Sequence, residues 1–502
     1  MSFDAPTPDE EDGIPPSLRE KELSTEGVRE QATTGIGALA MRSVAILGIG
    51  LLGGTILARL LTPNDFGIVA VGLSFITFVG LLADGDLGGG LIRRKAPPTM
   101  AELRALTGLQ LSITVAFTLV VAAIGTQFGQ AGAITTVMVA TMPITILQFP
   151  ARIMLERTLR FPVIARVEVL QVLAYNVTAI GLVLLGFGVW GMALGTVVRA
   201  VVGAVAMVTV SPVGMPLPSF RIRVIRPLMK FGLQFQAVSA STLARDQGLN
   251  AGIAVVAGTA TLGLVTLARR LMEVPYLLLR TLGRVSYPAM ARLLEQNQDP
   301  APLIRRALEY SSIGVGFVVV GLVGSAPGLI PGVFGEQWQQ ASYVLPGACL
   351  GLAIGGSVSV ATQGYLYAMG DAKGVLRASV LATTVTFGVT LSLLSVMGVE
   401  AVGFGLLAAG IVESFLLVTT TKRTTAVKFI PLLWWPTLTA VVAATVGWTV
   451  SVEGGETWQS GILGGLVATG LYVGILFLTN RDVLLRTLAF SGSALRQSLK
   501  RA

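Results

Sequence analysis

The chain reads as an all-α integral membrane protein with about fourteen transmembrane helices, and three observations predict that class. Hydrophobic residues make up 53% of the 502 residues and charged residues only 13%, outside the range of a soluble protein of this length. The apolar runs are continuous, as in VAILGIGLLGGTILA and IGVGFVVVGLVG, and a helix needs about 20 such residues to cross a bilayer. The alternative, a closed barrel, would show short segments of alternating polarity. Third, Lys and Arg return at every second connection: Arg93–Arg94–Lys95, then Arg152 to Arg166, Arg221 to Lys230, Arg280 to Arg306, Lys373 and Arg377, Lys422 to Lys428, and Arg481 to Arg501. The intervening connections carry acids or nothing, among them Asp65, Glu336, Glu400, Glu453 and Glu456. Because cytoplasmic loops hold the excess of Lys and Arg, this alternation predicts a multi-pass protein of the cytoplasmic (inner) membrane with both termini cytoplasmic.

Along the chain, residues 1–32 form an acidic tail expected to be disordered; residues 1–31 hold nine acids against three bases. It lacks the basic start and short apolar core of a signal peptide. Spans are expected near 36–59, 66–91, 104–125, 131–150, 165–186, 189–210, 230–256, 262–283, 310–333, 341–369, 375–397, 400–421, 429–450 and 458–479. They divide into an N-terminal lobe over 33–212, a second lobe over 213–425, two C-terminal helices over 426–480 that could be an addition to a twelve-helix core, and a basic tail over 481–502. An echo of LLTPNDFGIVA (60–70) in VVAGTATLGLVTLA (255–268) fits a build from two repeats.

Several function classes fall away. The net charge of +9 is explained by topology and by attraction to anionic lipids, not by nucleic acid. There is no histidine and a single cysteine, Cys349, so His-based catalysis, Cys/His zinc sites and internal disulfides are excluded. No GxxxxGK[ST] loop is present, so no ATPase is expected in the chain, nor any cofactor.

What remains is polarity within the apolar runs. The seventh span carries Ser239, Thr242, Asp246 and Asn250 on one helical face, with Ser241 and Arg245 beside it. Such a face marks a water-filled path or, alternatively, a surface helix that does not cross. Arg59 is expected to snorkel from the end of the first span. Arg42, Arg199, Arg245, Arg269 and Arg270 lie inside apolar runs. Each costs about 2.5–3.5 kcal/mol at a helix centre and therefore needs water, a partner or a role. Converging, they would form an anion site, because guanidinium forks suit phosphate. Against that, Arg42 could equally snorkel, and Glu273 stands at the helical spacing to neutralise either Arg269 or Arg270. The intramembrane acids Asp84, Asp86, Asp246, Glu273 and Glu413 are candidates for ion coupling or cavity roles, with Asp84 and Asp86 also placed to pair with Arg93 and Arg94.

The segment LARLLTPNDFGIVAVGLSFITFVGLLADGDLGGGLIRR (57–94) resembles the opening two helices of the polysaccharide flippase family of the multidrug/oligosaccharidyl-lipid/polysaccharide exporter superfamily. LGLVTLARRLMEVPYLLLRTLGRVSYPAMARL (262–293), VFGEQW (333–338) and YLYAMGDAK (365–373) resemble later family segments in the right order, so the resemblance covers about 33–425. It implies two six-helix lobes around a central, partly cationic cavity. It also implies alternating access that exports a polyprenyl-phosphate- or pyrophosphate-linked glycan, with the arginines receiving the pyrophosphate. Membrane lipids are expected partners, with a polysaccharide polymerase and glycosyltransferases as further ones. Two departures bear on coupling: Asp86 stands where the family usually has a small residue, and Asn250 where it often has Asp.

Rival readings are a cation-coupled multidrug antiporter of the same superfamily, a membrane-embedded glycan polymerase or transferase, and a structural scaffold. The first wants an acid-dominated cavity, the second a sizeable extramembrane loop or clustered catalytic groups, and the third leaves the intramembrane arginines unexplained.

Overall fold

The computed structural model describes residues 25–84, 87–93, 97–211, 213–221 and 226–487. Most of the acidic tail, Asp86, Arg94, Lys95 and residues 488–502 of the basic tail lie outside the described residues, as do the side chains of Asp84, Arg93, Ser239, Ser241, Thr242 and Arg245. Every regular element among the described residues is helical. Twelve stretches are long and apolar enough to cross a membrane. One of them, Met100–Ile146, holds the third and fourth expected spans, and Asp246–Leu271 reaches across the seventh and eighth. The expected fourteen is consistent with this set.

The helices group into two units, Met1–Ala251 and Gly252–Ala502. The division falls within a helix, not in the basic connection at 212/213 where the sequence suggests it. Asn250 Nδ2, next to that division, donates to Ser74 Oγ at 3.3 Å, a contact within the first unit.

In the first unit, α1 (Thr25–Leu60) begins well ahead of its expected span, the helix formers Glu26, Arg29, Glu30 and Gln31 outweighing Gly27 in that extension. Residues 25–32 are therefore helical rather than part of a disordered tail. A turn leads to α2 (Pro63–Asp84), whose start is fixed reciprocally: Thr62 N–H donates to Asp65 Oδ2 at 2.9 Å and Asp65 N–H to Thr62 Oγ1 at 3.3 Å. The short α3 (Leu87–Arg93) precedes α4 (Met100–Gly125), which opens on a complete capping box of Thr99 and Glu102. The fourth span is interrupted, as α5 (Gly129–Val139), α6 (Thr141–Ile146) and α7 (Phe149–Arg157). Then α8 (Phe161–Leu182) passes through a π-helical turn into α9 (Val189–Thr209). α8 packs on α1 and α9, and α5 on α2, α4 and α9.

The long α10 (Arg226–Leu271) is broken at Gly258, where φ 83° and ψ 168° suit only glycine. This is where the sequence places the turn between spans seven and eight. Beyond it the chain runs through Met272 into α11 (Glu273–Glu295). The centre of the second unit is α12 (Ala301–Phe334), flanked by α11, α13 (Leu345–Ala368), α16 (Phe429–Glu453) and α17 (Trp458–Thr479). α15 (Glu400–Thr421) lies between α13 and α14 (Ala372–Met397). Close approach of α12, α16 and α17 depends on glycine: a Cβ at Gly464 would lie 2.5 Å from the Gly447 carbonyl oxygen and 2.6 Å from that of Gly324. Gly328 N–H donates to Ser451 Oγ at 2.9 Å at the same seam. The last two helices are thus part of the second unit's core and no loose addition to it.

Candidate functional site

Arg42 comes from α1 and meets α8: its Nη1 lies 2.5 Å from Glu168 Oε2, with the two side chains 27% and 17% exposed. Arg152, on α7, reaches the other oxygen of Glu168 at 3.4 Å and donates its Nε to Glu156 Oε1 at 2.7 Å. Two guanidinium groups and two carboxylates therefore compensate one another across three helices. Arg42 neither snorkels unpaired nor offers an uncompensated charge.

Arg199 is different. It is exposed on α9, and among the described residues no carboxylate pairs with it. The next residue is tied inward: the Ala200 carbonyl accepts from Gln148 Nε2 at 3.4 Å, and Gln148 Oε1 accepts from Gln171 Nε2 at 2.9 Å. The backbone of α9 is anchored on α8 and the α6–α7 turn while the Arg199 side chain stays accessible, an arrangement able to receive an anion.

On α10, Asp246 is exposed and Asn250 half-buried, its Nδ2 donating to Ser74 Oγ and, at 3.2 Å, to Gln247 Oε1. The Arg245 side chain, and the Ser239–Thr242 part of the polar face, lie outside the described residues.

In the second unit, Arg269 and Arg270 are half-buried in the last turn of α10. Glu273 does not neutralise them. Its carboxylate stands 4.0 Å from Arg280 Nη1, since the turn at Met272 ends one helix and starts another, so the spacing rule for a continuous helix no longer applies. Glu413, half-buried on α15, accepts from Ser359 Oγ at 3.2 Å and Gln363 Nε2 at 3.3 Å, two residues one turn apart on α13.

Sequence reasoning missed Glu168, Arg152, Ser359 and Gln363. Glu168 carried a readable signal, an acid in VIARVEVLQVLAYN close to a basic connection. Ser359 and Gln363 carried none, because isolated small polar residues are common in spanning helices.

Known proteins resemble this chain in both sequence and fold. A family model described as polysaccharide biosynthesis protein matches residues 56–343. The lipopolysaccharide biosynthesis protein WzxC of Escherichia coli is 24% identical over 338 residues, covering 64% of this chain and 67% of that one. The succinoglycan biosynthesis transport protein ExoT of Rhizobium meliloti is 22% identical over 320 residues, 62% of this chain and 64% of the relative. The chain thus spans about two thirds of the length of these curated relatives. Among solved structures, the lipid II flippase MurJ in its inward closed conformation superposes with a TM-score of 0.65 at 15% identity, over 89% of this chain and 100% of that one. An inward-facing multidrug resistance MATE family transporter of the MOP superfamily does so with 0.53 at 17% identity, over 78% and 100%. At these identities the two structures carry the fold.

Proposed function

The chain belongs to the polysaccharide biosynthesis protein family, and on that premise we propose that it is a flippase exporting polyprenyl-linked oligosaccharide or polysaccharide repeat units across the cytoplasmic membrane by alternating access. The reading is supported by the biosynthetic and transport roles named for WzxC and ExoT and by the fold of a lipid II flippase. The observation that carries it within the molecule is Arg199, an exposed cation on an apolar helix with no carboxylate partner among the described residues. A lipid-linked diphosphate supplies the charge that this side chain lacks.

In this reading Arg199 is the first contact for the diphosphate, with Arg245, Arg269 and Arg270 as further contacts. Arg42 braces α1 on α8 through Glu168. Asp84, Asp246, Asn250, Glu273 and Glu413 are coupling or cavity residues, Glu413 being a carboxylate held between α15 and α13 by Ser359 and Gln363. Transport proceeds without catalysis, nucleotide hydrolysis or a cofactor. The basic connections face the cytoplasm, as do both termini, and glycosyltransferases and a polymerase work on the same lipid-linked substrate.

The test is outward exposure of a labelled polyprenyl-pyrophosphate oligosaccharide in proteoliposomes. Protein-dependent exposure is expected, reduced at least tenfold by Arg199→Ala and abolished in Arg199→Ala/Arg269→Ala, while both variants still insert. Undiminished exposure from the double variant removes the arginines from the route. No exposure, together with uptake of a cationic dye driven by an ion gradient, assigns the protein to the drug antiporters instead.

A further inference from the structure

At the basic end of the second unit, an open pocket of about 560 Å³ lies between the start of α12 and the start of α16, lined by Asp299, Pro302, Arg305, Val427, Lys428 and Leu432 among others. That volume falls in the range of about 300–1,000 Å³ typical of small-ligand sites. Its floor is built: Ile304, Leu308, Val427 and Phe429 belong to one buried cluster beneath it, with Leu432 packed against them.

Two cations stand on its wall. Arg305 gives only its Nε to Glu309 Oε1, at 2.9 Å, and its side chain is 65% exposed, so the two terminal amino groups face outward from that bond. Lys428 is exposed and forms no ion pair among the described residues. It also occupies the N-cap of α16 without a side-chain cap, and Pro431 contributes no N–H, so the first turn of α16 keeps its backbone donors and its positive end uncompensated. The start of α12, in contrast, is already capped: Asp299 Oδ1 accepts from Ala301 N–H at 2.9 Å. The one carboxylate on the wall is turned to the start of α12 by that bond and keeps its charge, so the phosphate is held from the Lys428 side.

The pocket's depth in the membrane follows from helix length. α12 has 34 residues, so it is about 51 Å long, against a hydrocarbon core of about 30 Å. Its charged first turns, with Arg305 and Arg306, consequently stand at headgroup level. On α16, Pro431 and Leu432 share the face of Lys428 and line the pocket with it, while Ile430, 68% exposed, and Trp434, 63%, stand on the other side of that helix. Trp435 turns inward to donate its Nε1–H to Thr479 Oγ1 at 2.8 Å. A Lys followed within two turns by exposed Ile and Trp is the pattern of a helix entering the membrane through its interface.

We propose that this pocket is a binding site for the phosphate headgroup of an anionic phospholipid of the leaflet on the basic side, with Lys428 and Arg305 holding the phosphate and the acyl chains lying along Pro431 and Leu432. The cationic wall selects the charge, and the adjoining apolar face selects a lipid over a free phosphate ester. The site is separate from the residues assigned to the transported substrate and does not depend on them.

Native mass spectrometry of the full chain in detergent, titrated with phosphatidylglycerol and with phosphatidylethanolamine, tests it without any transport readout. The expected result is at least tenfold tighter binding of phosphatidylglycerol, with the preference lost in Lys428→Glu and reduced in Lys428→Gln. Lys373→Glu, on a different basic connection, should keep the preference. Lys428 is exposed, so thermal unfolding of its variants should match the parent. Equal binding of the two lipids overturns the proposal, as does a preference that survives Lys428→Glu. Displacement of bound lipid by glycerol phosphate at equal concentration would overturn the lipid assignment and leave a site for a soluble phosphate ester.

Discussion

Helices of the first unit are braced mainly by side-chain bonds, with a close backbone approach at Gly125 and Gly132, whereas the second unit apposes glycine backbones at several seams. No spanning window lying wholly in the first unit is more than 44% buried, while those of α12 and of the stretch Glu336–Ala368 reach 67%. The first unit relies on the Arg42–Glu168–Arg152 brace, the Gln171–Gln148 pair and the Asn250–Ser74 contact. The second relies on apposed glycines, at Gly324, Gly447 and Gly464 and again where a Cβ at Gly410 would meet the Gly351 carbonyl oxygen at 2.4 Å. Directional side-chain bonds can be exchanged for others as helices shift. Interlocked backbones are bistable at best and resist sliding. The contrast teaches that the first unit is built to rearrange internally more readily than the second.

The contrast can be broken most severely at Gly464. Gly464→Val forces a branched side chain onto two backbone carbonyls, and overpacking of this kind costs about 1–3 kcal/mol or more; a sharp drop in the thermal midpoint and in folded yield is expected. A wild-type midpoint would mean that the seam is loose and the comparison mistaken. A smaller loss is expected from Glu168→Gln, which leaves two guanidinium groups facing an amide. Breaking a fully buried pair costs about 3–5 kcal/mol. Partial exposure of both side chains reduces the expectation here to about 1–2 kcal/mol. A double-mutant cycle with Arg42→Met isolates the coupling, and a coupling near zero would remove the brace from the first unit's account. The smallest effect should come from Gly181→Ala on α8, where an added Cβ meets nothing within 4 Å. A neutral result, or a gain of up to about 1 kcal/mol from helix propensity, is expected by thermal unfolding. A clear loss there would show that even a first-unit glycine with open space around it is a packing site.

Much of this organisation was legible in the residues. Continuous apolar runs and alternating basic connections give the spanning helices and their order, and the turn between the seventh and eighth spans coincides with the break at Gly258. The errors share one cause, the assumption that a helix is uninterrupted or ends at its hydropathy edge. Met272 separates Glu273 from the two arginines before it. Glu168 falls at the edge of an expected span and so escaped notice, although its pairing decides what Arg42 can do. Next to the unit boundary inside α10 lies a tertiary contact, Asn250 to Ser74, that no local pattern encodes. Arg199 shows the limit from the other side: its type and position marked it as a candidate, but only the fold shows its exposure.

The packing of α12 against the final hairpin also sets a schedule for biogenesis. About 145 residues separate the end of α12 at Phe334 from the end of α17 at Thr479. Ribosomes add about 5–20 residues per second, so α12 waits roughly ten to thirty seconds before its glycine-lined groove can be filled. During that interval Ser325, Gly324 and Gly328 face lipid, an insertase or another nascent helix, and the Gly328 N–H has not yet met Ser451. A stop codon between α15 and α16 would leave that groove permanently open, making the nascent chain a natural target for membrane quality control.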